Sequence, residues 1–260
     1  MKVLFIGDIV GECGKEMALK NLRRLRQEEK LDMVIANGEN IAERNGITRA
    51  LFDELSFAGV DVVTMGNHTW DTREIMHFID ETDRLIRPLN YPEGTPGRGY
   101  TVFDTGRFQV AVVNILGNVY INTLPSPFTL IDAVLAEIKA QGIRHIIIDL
   151  HAEATAEKIA FGFYVDGQAS AVIGTHTHVQ TADEKILAKG TAFISDAGMT
   201  GPYTSVLGVR PELSVQRFVT QLPVRFEQAD APAQFNAVVL TLDDQSGLAT
   251  DIRRINVVES

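Results

Sequence analysis

Five short apolar runs in this chain each end in a residue able to bind a metal ion or transfer a proton. Asp8 follows Val3 to Gly7, Glu39-Asn40 follow Met33 to Ala36 through Asn37-Gly38, and Asn67-His68 follow Val62 to Gly66. Further on, His151 comes after Ile146 to Leu150, and His176 and His178 come after Ala171 to Gly174. Such short apolar runs bounded by Gly, Asn and Asp have the length and punctuation of buried strands. In an open α/β sheet the carboxyl ends of the strands line the crevice where ligands bind. Residues this far apart in sequence are therefore expected to converge in space.

The stretches between these runs predict such a sheet. Within Lys15 to Glu29, Met17, Ala18, Leu22 and Leu25 recur at three- and four-residue steps, as in a helix lying on a sheet. Thr48 to Ala58 reads as a second helix, which makes a βαβαβ rhythm over the opening of the chain. Asp71 and Glu74 have capping-box spacing and predict a helix over Ile75 to Ile79. Tyr100 to Asp104 and Phe108 to Ile115 flank Thr105-Gly106 as a hairpin, so the sheet is expected to be mixed. Ser126-Pro127 starts a helix over Phe128 to Ala140 with Gly142 as its stop, and Ala154 to Tyr164 reads as another. Ala237 to Leu242 and Ile252 to Val258 pair around Asp243 to Gly247. With no Ser/Gly linker, internal repeat or low-complexity stretch, residues 1–260 read as one α/β domain.

Charge narrows the partners. The chain carries 24 Lys+Arg against 34 Asp+Glu, a net charge of −10, which opposes wrapping a long nucleic acid but leaves a small phosphate free to be drawn in by bound metal. The single cysteine, Cys13, forms no internal disulfide, which fits a reducing compartment. The start runs straight into an apolar strand without a signal-peptide core, and no apolar run approaches the roughly 18 residues of a membrane span. A cytoplasmic protein without membrane attachment is expected.

Taken singly, most of the polar residues have ordinary explanations. Asp8 and Asn67 suit turns after strands, Glu39 a surface carboxylate, and His151 a hydrogen-bonded structural histidine. Gly174-Thr175-His176-Thr177-His178 differs, because in an extended chain residues two apart point to the same side, which sets two imidazoles side by side as a chelate. His77 and His145 lack such context and read as structural. Asp8, Glu39, Asn40, Asn67, His151, His176 and His178 are too many ligands for one tetrahedral site. They suit two ions roughly 3.5–4 Å apart sharing a bridging carboxylate, for which Glu39 is the natural choice. Imidazole nitrogen mixed with carboxylate and amide oxygen, without thiolate, favours iron, manganese, zinc or cobalt over calcium or magnesium. Two adjacent cations turn a bridging water into hydroxide and neutralise phosphoryl oxygens during in-line attack, so phosphoester hydrolysis is the expected reaction. His68, surplus to the ligand count, is placed to protonate the leaving alkoxide.

Gly66-Asn67-His68 and Gly174-Thr175-His176-Thr177-His178 resemble the Gly-Asn-His and Gly-His-x-His signatures of calcineurin-like metallophosphoesterases, with His151 as the intervening histidine. That superfamily usually opens with Asp-x-His and bridges with Asp, whereas this chain has Asp8-Ile9-Val10 and Glu39-Asn40. Those departures, with Gly7-Asp8-Ile9-Val10-Gly11, Asn37-Gly38-Glu39-Asn40, His151-Ala152-Glu153-Ala154-Thr155 and Asp196 to Pro202, resemble the YmdB-like bacterial phosphodiesterases from Met1 to about Val258. The resemblance implies a four-layer α/β/β/α sandwich of mixed sheets with a dinuclear centre, often iron, at the strand ends. It implies that Asp8, Asn40 and His178 hold one metal and Asn67, His151 and His176 the other, with Glu39 bridging and His68 as proton donor. It also implies hydrolysis of phosphodiesters, with 2′,3′-cyclic nucleotides as the substrate class. Cys13 falls in a loop where these relatives often have proline, and reads as a small solvent-side residue.

Two rival readings remain at this point. Gly7, Gly11 and Gly14 form a glycine-rich loop after the first strand, with Glu39 where a ribose-binding acid would lie in a Rossmann protein. Its spacing is not Gly-x-Gly-x-x-Gly, and it leaves His68, His151, His176 and His178 without a task. A non-catalytic, metal-dependent regulator that binds a nucleotide without turnover would use the same ligands as the enzyme. The loop Asn118 to Ser126 and the segment Met199 to Leu207 are the candidates to cover the site. Val119, Tyr120 and Ile121 offer apolar surface for a homo-oligomer, dimer or tetramer.

Overall fold

Along strand β1 (Lys2–Ile6), Val3 and Phe5 face one way, Leu4 and Ile6 the other, and all four are fully buried. A strand apolar on both faces needs cover on both. In the computed structural model, which describes residues 1–259, helices supply that cover on one side and a second sheet on the other. The first sheet has eight strands: β1, β2 (Asp8–Ile9), β3 (Met33–Asn37), β4 (Val62–Thr64), β5 (Leu85–Ile86), β12 (Met199–Pro202), β13 (Ala233–Leu242) and β14 (Ala249–Val258). Its strands run in the order β2-β12-β13-β1-β3-β4-β5, with β14 also on β13. The second has β6 (Tyr100–Asp104), β7 (Gln109–Leu116), β8 (His145–His151), β9 (Ala171–Thr175), β10 (Lys185–Ile186) and β11 (Ala192–Ile194), ordered β10-β11-β9-β8-β7-β6.

Both sheets are mixed. The strands β1, β3, β4 and β5 are parallel while β13 runs against β1; β7, β8, β9 and β11 are parallel while β6 and β10 run against their neighbours. Val3, Phe5, Met33 and Ile35 of the first sheet pack against Val110, Val112, Ile147 and Ile173 of the second. The outer face of the first sheet is covered by α1 (Gly11–Glu28) and α2 (Arg49–Ala58), that of the second by α3 (Pro127–Ala140) and α4 (Thr155–Tyr164). The expected α/β/β/α order of layers is the order observed.

Most expected elements appear within a residue or two of their expected ends, and several differ for a local reason. The expected helix over Ile75 to Ile79 is instead two short 3-10 turns, Arg73–His77 and Ile79–Glu81. Asp71 does not cap it, because its carboxylate binds the His68 ring, while Glu74 accepts from the Arg49 amide. The helix expected from Lys15 starts at Gly11, so the glycine-rich stretch is not a ligand-binding loop and Cys13 lies in a helix, half-buried. A Cβ at Gly7 would overlap the Gly198 carbonyl, and one at Gly14 the Thr200 carbonyl. These glycines admit the β12 backbone rather than a dinucleotide, and the Rossmann reading fails on that packing. The short strands β2, β5 and β10 to β12 and the helix α5 (Pro211–Thr220) carry no periodicity strong enough to announce them.

Candidate metal centre

Because β1, β3 and β4 are parallel, Asp8, Glu39, Asn40 and Asn67 all leave the first sheet at one end. The parallel pair β8 and β9 brings His151, His176 and His178 to the matching end of the second. The loop after β4 must pass close between them. A Cβ at Gly66 would overlap both Glu39 Oε2 and His151 Nε2, so glycine there leaves room for the two side chains to meet.

Two groups of donors result. His151 Nε2 lies 2.9 Å from Glu39 Oε1, 2.9 Å from Asn67 Oδ1 and 3.1 Å from His176 Nδ1. Donor atoms of Glu39, His151 and His176 all fall within 4.8 Å of one another. In the second group, His178 Nε2 lies 3.3 Å from Asn40 Oδ1 and 3.8 Å from Asp8 Oδ1. The His176 amide donates to Asp8 Oδ2 at 3.2 Å and joins the groups. All seven residues picked out as ligands from the sequence thus lie in one assembly.

The expected side-by-side chelate of His176 and His178 does not form. Their backbones are left-handed, with φ of 97° and 64°, and the rings diverge into the two groups. The turn comes from Asp196, whose Oδ2 accepts from the amide of Thr177 at 3.0 Å and from its hydroxyl at 2.8 Å. Asp196 is itself paired with the fully buried Lys158 Nζ at 2.8 Å, and Lys158 also donates to the Thr175 carbonyl. A carbonyl in left-handed backbone holds His178 as well: Leu207, at φ 55°, accepts from His178 Nδ1 at 3.1 Å and leaves Nε2 toward Asn40. Of the two segments expected to cover the site, Met199 to Leu207 therefore reaches it directly. The loop Asn118 to Ser126 starts beside it, since the Gly117 amide donates to the His151 carbonyl.

Electrostatics follow from burial and pairing. Burial opposes ionisation of Glu39, yet the adjoining His151 outweighs it and holds the carboxyl at about 2. Burial likewise disfavours the His151 cation, and Glu39 overcomes it, lifting the imidazole to about 9. His176, buried beside His151, is pushed down to about 3. Burial raises Asp8, and raises Asp149 to about 6. Asp149 Oδ1 accepts from the Thr175 hydroxyl at 2.6 Å, and the Thr175 hydroxyl oxygen in turn lies 2.9 Å from His151 Nδ1. Asn37 and Thr64 of the first sheet donate to the other Asp149 oxygen. This support was not picked out from the sequence, although a lone Asp inside the apolar run Ile146 to Leu150 was its signal.

His68 stands at the edge of the same assembly. Its amide donates to Glu39 Oε2 at 2.8 Å, and its Nδ1 lies 2.7 Å from Asp71 Oδ2. The other ring nitrogen, Nε2, has no hydrogen-bond partner among the described residues.

The donor set fits metal. Asp8 Oδ1 is buried without any hydrogen-bond partner, a costly arrangement unless a cation completes it. One nitrogen, His151 Nε2, faces two oxygens and another imidazole nitrogen, more polar neighbours than its single proton can serve. Nitrogen and oxygen donors backed by a carboxylate–hydroxyl–imidazole relay are what a transition-metal site uses.

The family profile described as YmdB-like protein matches residues 4–255. A Bacillus subtilis (strain 168) protein named 2′,3′-cyclic-nucleotide 2′-phosphodiesterase is 48% identical over 255 residues, covering 98% of this chain and 96% of that one. A crystal structure of a Thermus thermophilus protein described as hypothetical superposes with a TM-score of 0.93 at 40% identity, covering 100% of both chains. A Mycoplasma pneumoniae structure described as a novel phosphatase gives 0.93 at 33% identity, covering 100% of this chain and 94% of that one.

Proposed function

The chain belongs to the YmdB-like family, and on that premise we propose that it is a metal-dependent phosphodiesterase that hydrolyses 2′,3′-cyclic nucleotides. The observation that carries the proposal is the convergence of Glu39, Asn67 and His176 on His151 Nε2, beside the partnerless Asp8 Oδ1. Asp8, Asn40 and His178 would hold one ion and Asn67, His151 and His176 a second, with Glu39 shared. Iron is the expected metal, with manganese or zinc as alternatives. Bound there, the ions supply activation of a water nucleophile and neutralisation of phosphoryl charge.

The chain's own residues do the rest. In the balanced reaction the water oxygen bonds to phosphorus and the bond from phosphorus to the ribose oxygen breaks. The proton needed by that leaving oxygen would come from His68 Nε2, and the proton that the attacking water gives up would pass to solvent, from which His68 is reprotonated. Asp71 acts through His68, accepting at Nδ1 and fixing the ring. Asp149 and Thr175 orient His151 through its Nδ1, and Lys158 with Asp196 set the turn that separates His176 from His178.

Cytoplasmic residence and association into dimers or tetramers belong to the same proposal. The lone Cys13 supports the first, and no helix among the described residues is long and apolar enough to cross a membrane. Tyr120 at 92% exposure and the bare Val215, Phe218 and Val219 of α5 support the second, which light scattering would measure.

The test is hydrolysis of bis(p-nitrophenyl) phosphate and of 2′,3′-cyclic nucleotides by purified protein, with iron or manganese added and again after chelation. Metal-dependent release of nitrophenol and of a nucleoside monophosphate is expected. No turnover with any metal would overturn the enzyme and leave a nucleotide-binding regulator.

A further inference from the structure

We infer that a cleft opening on the metal centre is the nucleoside subsite, with Phe226 and Leu207 as its base-binding wall and Arg44 as its cation. The inference rests on the phosphodiesterase reading above and adds to it where the non-reacting part of the substrate goes.

The cleft encloses about 280 Å³. That is close to the lower end of the roughly 300–1,000 Å³ typical of small-molecule sites, and suits one nucleoside rather than an oligonucleotide. Asn40 and His178 of the metal centre form part of its lining. So does Asn45, whose side-chain amide lies 3.3 Å from His68 Nδ1. A phosphate held at the metal centre would therefore have its ribose and base at the mouth of this cleft. A larger space of about 450 Å³ also touches His178, but no other ligand residue lines it. Two of its polar side chains are engaged within the fold: Gln180 donates to the carbonyls of Ala197, Ala237 and Ile255, and Asn256 donates to Asn236.

The walls of the smaller cleft carry large apolar side chains. Phe226 is 49% exposed and Leu207 50% exposed, apolar area that the fold leaves open to water. Leu207 also holds φ 55°, a left-handed conformation strained for a leucine. The same residue gives its carbonyl to His178. One strained residue thus ties the wall of the cleft to a residue of the metal centre. The segment carrying Phe226 is anchored to this loop by hydrogen bonds from the Arg210 amide to the Glu227 carbonyl and from the Ala229 amide to the Gly208 carbonyl. Glu227 shares Arg210 with Glu212, and Glu43, which also lines the cleft, has no ion-pair partner among the described residues, so Arg44 is the lining's one cation among two carboxylates. Arg44 lines the cleft, and among the described residues no carboxylate lies within ion-pair distance of it. A nucleotide meets these features: the base has a flat face for Phe226, and the phosphate held at the adjoining metal centre has charge for Arg44 at the cleft's shared edge.

The experiment compares 2′,3′-cyclic AMP with a base-free probe, methyl β-ribofuranoside 2,3-cyclic phosphate, in metal-loaded wild type, Phe226→Ala, Phe226→Tyr and Arg44→Ala. Wild type is expected to prefer the nucleotide at least tenfold in kcat/KM. Phe226→Ala is expected to cut that preference about tenfold through KM, and Phe226→Tyr, which keeps the ring face, to restore it. Arg44→Ala is expected to raise KM for both compounds. Equal kcat/KM for the two compounds in wild type, or a preference that survives Phe226→Ala, would overturn the subsite and leave the phosphodiesterase intact. Turnover of neither compound by wild type, with metal bound, would overturn the phosphodiesterase reading itself.

Discussion

His68 and Asp71 form a pair in one loop, with Nδ1 of the imidazole 2.7 Å from the carboxylate oxygen. The pair uses up the acid that would otherwise cap a helix and leaves Nε2 without a partner among the described residues. His68→Ala is expected to lower kcat by about 10²- to 10⁴-fold with metal content unchanged, and Asp71→Asn by about tenfold. Steady-state kinetics with metal analysis on each variant measures both, and an Asp71→Asn enzyme with wild-type kcat would exclude a positioning role.

Gly66→Ala is expected to fold and to lose metal. The added Cβ would overlap Glu39 Oε2 and His151 Nε2, which are both buried and have nowhere to retreat. Far-UV circular dichroism should match wild type while bound metal and activity fall together.

Thr175→Val removes the hydroxyl between Asp149 and His151. Loss of such an outer partner is expected to weaken metal affinity by about 10- to 100-fold. Competition with a chromogenic chelator gives the affinity, and an unchanged value would show that His151 is held by its other contacts alone.

Lys158→Met is expected to destabilise the fold by about 3–5 kcal/mol, because it leaves Asp196 buried without its cation. Urea unfolding of the metal-free protein isolates this term from metal binding. A cost below about 1 kcal/mol, the size of a surface pair, would mean that water reaches Asp196.

Stability should also fall in mild acid at a site remote from the metal centre. His145 packs edge-on against Phe108 at 5.1 Å and lies 3.2 Å from the Asp243 carbonyl through Nε2. Burial holds its pKa below the ordinary 6.5. Its depressed value means that the unfolded chain takes up the proton first. Stability is therefore full above pH 6.5 and declines as pH falls from 6.5 toward the lower folded value. His145→Gln should flatten that part of the pH profile in thermal unfolding, relative to wild type.

The strand ends were legible because a buried strand is a run of apolar residues, and the first polar residue after it marks where the chain leaves the sheet. Asp8, Glu39, Asn67 and His151 could be placed that way. The pairing of His176 and His178 could not, since a spacing of two residues implies one side only while the chain stays extended. Asp196, 19 residues downstream, takes hold of Thr177 and turns it. Lys158 looks like an ordinary helix charge in sequence, and nothing local tells that its side chain is fully buried. Helix α5 escaped notice for the opposite reason, because Val215, Phe218 and Val219 stay in solvent and only Ser214 is buried.

Neither sheet owns the metal centre. Asp8, Glu39, Asn40 and Asn67 come from the first, and His151, His176 and His178 from the second. During synthesis the first group emerges long before the last histidine, with no complete ligand set for any ion to seize. On the proposed ligand assignment, ion uptake is expected to wait until the two sheets have docked, so that its rate would report that docking.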